Sequence, residues 1–463
     1  MRRWAAAMLT VAFASLYAPG VRAQQGALPA DSSAPRFSDA AREARARLAL
    51  DGGRLWGVRL DTLQWVGTTG VELYFTRDPE HAGFSRDSAS GLWRGPMPPG
   101  TLVANTASAL FGRRWAMVRL PLPNDDPRGV TELLIHEAWH VIQPSLFTLP
   151  AANETGAGAA LLDEPEGRTW LRLEWTALAT ALDATAPAAQ RRGYRNALLF
   201  RARRYLAAAP DERQRERVLD LSEGMAEYTG MRLAGEGGDR RLAARLRTVA
   251  GTLDSYVRAF PYQTGPAYGF LLERALGPRW TRRLAQTPDL QQLLAGTLGA
   301  EGQRYLEWLR VEGDTAALRA AADREGMALG SGTVRASEDA RWRTRQAQIA
   351  ELRARFVTGP TLRLRPRALQ ISFDPRGQVS LGDAGTVMAN LVWKNQEGAS
   401  LTAPRGALVT PDWRELRLDV ADAAITEGPL GAPVTWRTDN WTLTLPAGWV
   451  LRREGEGWAA SPP

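Results

Sequence analysis

The segment His136-Glu137-Ala138-Trp139-His140 has the residue types and the spacing for chemistry on one helix face. On a 3.6-residue helix, positions four apart lie within about 40° of each other, so both imidazoles can reach one metal ion. Glu137 stands beside the first His, where it can touch a metal-bound water without being a ligand. The chain has only three His in 463 residues, so this arrangement is a rare one to meet by chance. The motif sits in an otherwise apolar stretch of its helix, Leu133 to Ile142, where polar groups without partners are costly. The absence of Cys excludes thiolate zinc sites, iron–sulfur ligation, disulfides and thiol catalysis. Zn²⁺ held by His136, His140 and a carboxylate is therefore the expected centre.

Several carboxylates follow the motif. Asp163, Glu164 and Glu166 fall in a Gly-rich loop, a poor base for a rigid site. Glu174 is embedded among Trp170, Leu171, Leu173 and Trp175, where an acid needs a partner. Glu223 lies in Leu221-Ser222-Glu223-Gly224-Met225-Ala226-Glu227-Tyr228. With this second segment the chain resembles the gluzincin metallopeptidases, the thermolysin and aminopeptidase-N type, as a divergent relative. The resemblance implies Glu223 as third zinc ligand and Glu227 as the acid that fixes the first His, a kind of partner that orients the ring and raises its basicity. It also implies a role for Tyr262 in Pro261-Tyr262-Gln263-Thr264-Gly265-Pro266, which is similar to the aminopeptidase YxKG segment whose Tyr hydrogen-bonds an oxyanion. Thr264 replaces the Lys, and no GxMEN-like segment precedes the active helix, so recognition of a free amino terminus does not carry over. Glu174 remains the rival to Glu223, and His81 in Asp78-Pro79-Glu80-His81 reads as a surface residue.

These side chains need elements to hold them. Asp126-Pro127 is a helix start, a capping acid followed by Pro at the first helical position, and Pro144 is expected to end that helix. Before it, Ser38 caps a helix through Leu50, the alternating stretch Arg54–Thr76 reads as strand, and Thr101–Phe111 pairs with Arg114–Leu120. After it, the helical pattern continues to about Phe356 with helices over Arg168–Leu182 and Ala188–Leu206, and breaks at Pro210, Gly235, Gly265 and Gly277; a helix Ala267–Leu276 follows Pro266. The RQRER run, Arg213–Arg217, reads as a solvated helix face. Beyond Gly359 the period is two, in runs such as TLRLRP and WTLTL separated by turn residues. The expected fold is α+β: a mostly helical core, zincin-like by the resemblance, preceded by a small β-sheet and followed by a sandwich-like or barrel-like β-domain. The boundaries are 1–23 signal peptide, 24–36 disordered leader, 37–126 β-rich part, 127–357 helical metallopeptidase domain and 358–463 C-terminal β-domain.

Residues 1–23 have the three parts of a secretory signal: Arg2 and Arg3, an apolar run Trp4–Tyr17, and small residues at Val21 and Ala23. The apolar run is too short to span a bilayer. Cleavage after Ala23 implies a secreted or periplasmic protein without stable membrane insertion. The formal charge of +8 does not indicate nucleic acid. It falls to +5 when Arg2, Arg3 and Arg22 leave with the signal, and no basic block or accepted motif is present. Among the basic residues Lys394 is the only Lys. The 17 Trp are spread along the chain and read as core. The expected function is hydrolysis of a peptide or protein substrate by a zinc-bound water activated by Glu137. The alternative is a non-catalytic envelope or secreted binding protein with a structural or degenerate zinc site and a β-domain for interaction.

Overall fold

The structure is a computed structural model that describes residues 30–463 except 102, 124–125, 150–159, 254, 258, 368–370, 374–377, 396 and 421–424. The expected signal peptide and the start of the expected leader lie outside the described residues. The architecture is α+β. Two compact units form, the first ending at Glu338 and the second comprising Asp339–Pro463. That division falls within the helix Ser331–Arg353, ahead of the change of sequence period at 357–358; strands resume at Thr361.

In the first unit, helix α1 spans Ala30–Asp51. It starts earlier than Ser38 and takes in the end of the stretch expected to be disordered. The reason is an apolar stripe at helical spacing, Ala34, Phe37, Ala41, Ala44 and Leu48, all buried. Ser38 consequently lies inside the helix, where its hydroxyl donates to the Ser90 carbonyl at 2.8 Å. A six-stranded sheet comes next: β1 Trp65–Thr68, β2 Glu72–Phe75, β3 Ser85–Arg86, β4 Trp93–Pro96, β5 Thr106–Leu110 and β6 Arg113–Arg119. Their order across the sheet is β3-β4-β2-β1-β6-β5. The β5–β6 pair is the expected one, but Arg54–Leu60 is not strand. Gly53 and Gly57 take positive φ there, and Leu55, Trp56 and Leu60 enter the core from turns. Alternate residues of the central strands serve two cores. Trp65, Ala116 and Val118 face the helices, whereas Val66, Trp115 and Met117 pack with Leu73 and Phe75 on the other side.

Helix α2, Pro127–Leu146, starts at the expected cap: the Asp126 carboxylate accepts from the Arg128 N–H. Pro144 falls inside its last turn rather than ending it. The Trp65 indole donates to the Leu134 carbonyl at 2.7 Å, tying α2 to β1. Next come α3 Pro165–Asp183 and α4 Pro187–Tyr205, close to the expected pair. Then α5 Pro210–Leu219, a π-helical turn Asp220–Gly224 and α6 Met225–Leu233 run as one continuous rod. After α7, Gly238–Thr248, helix α8 spans Pro261–Leu276. Gly265 and Pro266 are thus inside α8, whereas the sequence places them before a helix. The backbone explains this: Gly265 packs against the backbone of Gly224, so a Cβ there would lie 2.3 Å from Gly224 Cα. The glycine is a site of helix crossing, not a break. In the RQRER run Glu216 is buried rather than solvated, because it pairs with Arg204 from α4.

The second unit carries sheets of eight and five strands after Gly359. In the larger, Thr361–Leu364 pairs antiparallel with Leu416–Asp419 and parallel with Gly457–Ser461. The inward residues of both sheets share one core, which includes Leu362, Leu418, Trp393, Leu401, Leu443 and Trp449. Trp393, Trp441 and Trp449 are buried there, as the even spread of Trp implies, while Trp413 is exposed. Among the described residues no helix is long and apolar enough to cross a membrane.

Candidate metal centre

Helix α2 carries the motif on its buried face, with His136 and Glu137 almost fully buried and His140 slightly exposed. The two rings meet edge to face, and His136 Nε2 and His140 Nε2 lie 3.1 Å apart. The rod α5–π–α6 crosses α2, and Gly230 permits the approach: a Cβ there would lie 2.6 Å from the Glu132 carbonyl oxygen. The crossing delivers Glu223 from the π turn. Its Oε2 lies 3.5 Å from His136 Nε2 and 3.7 Å from His140 Nε2. One ligand atom from each of His136, His140 and Glu223 falls within 4.8 Å of the others. A π turn inside an α-helix is a feature that recurs at functional sites.

Glu227, one turn beyond, reaches the other ring nitrogen, with Oε2 3.5 Å from His136 Nδ1. Arg245 on α7 donates to Glu227 Oε1 at 2.9 Å and to the Tyr262 carbonyl at 2.6 Å. That carbonyl is open because Pro266, four residues on, has no N–H to give it. The Tyr262 hydroxyl donates to Glu223 Oε2 at 2.7 Å, and its ring stacks on His136. In this arrangement the proton of Tyr262 goes to the Glu223 carboxylate, so the residue orients Glu223. His140 has a partner on its own helix: Gln143 Oε1 lies 3.2 Å from Nδ1.

The electrostatics suit a cation. Burial works against a charged His136, but the carboxylates of Glu223 and Glu227 outweigh it and hold its pKa up at about 10. Burial also opposes ionisation of Glu223 and Glu227. His140 and His136 hold Glu223 well below the usual carboxylate range, and His136 and Arg245 hold Glu227 down. For Tyr262, burial and the Glu223 charge push the hydroxyl well above its ordinary value, which keeps it a donor.

The rival carboxylates are engaged elsewhere. Asp163 accepts from Ser255 at 2.8 Å and from the Tyr256 N–H at 3.0 Å, and Glu166 pairs with Arg203 at 2.8 Å. Glu174 is fully buried between Arg201, at 2.8 Å, and Arg204, at 2.7 Å, with the Tyr268 hydroxyl donating at 2.9 Å. This satisfies the acid the sequence leaves in want of a partner, and it does so away from the two His. His81 is exposed and stacks on Phe111 at 4.1 Å.

Two residues of the site carry no signal that the sequence motifs pick out. Gln143 was within reach, since position i+3 shares a face with His140. Arg245 was not, because α7 also offers Arg240, Arg241 and Arg247 and nothing local distinguishes them. Comparison of the chain with protein-family models, with curated proteins and with solved structures returns no match.

Proposed function

We propose that the chain is a zinc-dependent metallopeptidase of gluzincin type, exported by its first 23 residues, with a zincin-like helical core. The observation that carries the reading is the grouping of His136, His140 and Glu223 around one point, with Glu137 beside it in the same buried helix. Two imidazole nitrogens and one carboxylate oxygen are the donor set of catalytic zinc, which retains an open position. Their surroundings also fit: two buried carboxylates, Glu223 and Glu227, stand against the His136 ring, a concentration of negative charge that a divalent cation offsets. Bound there, zinc would supply Lewis acidity to a water and to the scissile carbonyl.

The chain's own residues do the rest. Glu227 and Gln143 hold the outer nitrogens of the two rings, which sets the tautomers that direct both Nε2 atoms inward. Tyr262 and Arg245 fix the two carboxylates. Glu137 takes the proton from the attacking water and returns it to the leaving amine, the work of a general base and then acid. A structural site has no use for such a base. The test is Glu137→Gln, which keeps shape and removes the base. Zinc content and fold should match the parent, while hydrolysis of a denatured-protein substrate falls by about 10²–10⁴-fold. Cleavage by the variant at the parental rate would overturn the mechanism.

A further inference from the structure

Behind the π turn lies a buried ionic cluster that touches neither His. Asp220, the first residue of the turn, is fully buried. Its Oδ2 accepts from Arg201 at 2.5 Å and from Gln291 at 3.1 Å. Its Oδ1 lies 2.7 Å from the Thr264 hydroxyl, which also lies 2.9 Å from the Phe260 carbonyl. That hydroxyl has one proton, and an ionised carboxylate takes it more strongly than a carbonyl does. Arg201 is also fully buried and continues to Glu174, Glu174 to Arg204, and Arg204 to Glu216. In all, three carboxylates and two guanidinium groups are withdrawn from water. Such clusters cost desolvation that apolar side chains of similar volume avoid, so stability alone is a weak reason for one.

Its place suggests the reason. Asp220 and Glu223 belong to the same π turn, and Thr264 stands two residues after Tyr262 on α8. Between these pairs the helices are in backbone contact at Gly224 and Gly265. The turn and α8 are therefore pinned twice, by Asp220–Thr264 on one side of the crossing and by Glu223–Tyr262 on the other. Rotation of the turn that moved Glu223 away from His136 and His140 would break the first pin, and with it the contact to Arg201 from α4.

We propose that the Arg201–Asp220–Thr264 bridge is a positioning device that holds the π turn in the orientation that presents Glu223 to His136 and His140. The proposal rests on the metallopeptidase function proposed for the centre. Its test is Thr264→Val, which keeps shape and removes the hydroxyl, with Thr264→Ser as the conservative rescue. Gln291→Leu is a milder second variant should Thr264→Val fail to fold. Each is purified and titrated with Zn²⁺ against a chromophoric chelator and with Co²⁺, whose visible absorption reports ligand geometry. Thr264→Val should bind Zn²⁺ about 10-fold more weakly and show an altered cobalt spectrum, and Thr264→Ser should restore both. A control, Glu338→Gln, weakens the equally buried Arg168–Glu338 pair; it should lower the melting temperature and leave Zn²⁺ affinity at the parental value. Parental affinity and spectrum in Thr264→Val and Gln291→Leu overturn the positioning role while leaving the metal centre standing. A parent chain that takes up no metal, or takes it up equally well as His136→Ala, overturns the metal centre and this role with it.

Discussion

At the scale of single residues, the proposed ligand Glu223 and the scaffold acid Glu174 differ in what they face. Both are buried acids on helices, but Glu223 faces two imidazoles and Glu174 faces two guanidinium groups. Glu223→Ala should lose stoichiometric zinc while remaining folded. Glu174→Gln should retain zinc and lose stability, on the order of 3 kcal/mol, because a buried guanidinium is left without its counter-charge. Metal content and denaturant midpoints of the two purified variants check this, and zinc missing from Glu174→Gln but full in Glu223→Ala would exchange the assignments. The residues differ in how legible they are. The His-Glu-His grouping is set within one helical turn, so spacing alone places it. Glu223 needed a local motif, and Glu174 could not be dismissed without knowing that Arg201 and Arg204 lie opposite it. Arg is common in this chain, and which guanidinium meets which acid depends on helix crossings that lie far apart in sequence.

At the scale of elements, the crossing of the π turn with α8 is the joint on which the centre depends. Glycine is normally a weak point in a helix, and replacing it with Ala at a compatible site stabilises by about 0.4–1 kcal/mol. At Gly265 the sign should reverse, because the added Cβ would fall 2.3 Å from Gly224 Cα. Gly265→Ala should cost roughly 1–3 kcal/mol by overpacking, whereas Gly296→Ala, at a helix end with nothing within 4 Å of its Cβ position, should be neutral or stabilising. Urea midpoints decide it, and a neutral Gly265→Ala would mean the helices part without strain. The same joint shows why boundaries were harder to read than elements. Gly265 and Pro266 carry the local signature of a break, but the tertiary contact at Gly224 requires a glycine, and helix α8 continues through both. Likewise Arg54–Leu60 alternates as a strand does, yet Gly53 just before it and Gly57 within it turn it into loops that feed Leu55, Trp56 and Leu60 to the core.

At the scale of the whole molecule, all residues of the centre lie in the first unit and none in the second. Zinc present at 100 times its dissociation constant would stabilise the state that binds it by about 2.7 kcal/mol. Hydrogen exchange should show where: amides of α2, of the rod from α5 to α6 and of α8 should gain protection on adding zinc, and strands after Thr361 should not. Protection gained mainly in the C-terminal sheets would place the metal elsewhere. The return to strands at Thr361 was legible because the hydrophobic period changes near Gly359. The unit boundary inside Ser331–Arg353 was not, since a continuous helix gives no local sign of where its contacts change.

The π turn also alters helical phase. Glu216, Asp220, Glu223 and Glu227 are spaced four, three and four residues apart, and on an unbroken α-helix they would form a single acidic stripe facing one neighbour. The extra residue of the turn advances α6 by about 100° relative to α5. The stripe is thereby split, with Glu216 and Asp220 directed to the guanidinium groups of α4 and Glu223 and Glu227 to the imidazoles of α2, Glu227 also meeting Arg245 of α7. One rod thus serves two cationic partners of different chemistry. A single-residue deletion that restored the phase would leave it able to satisfy only one of them.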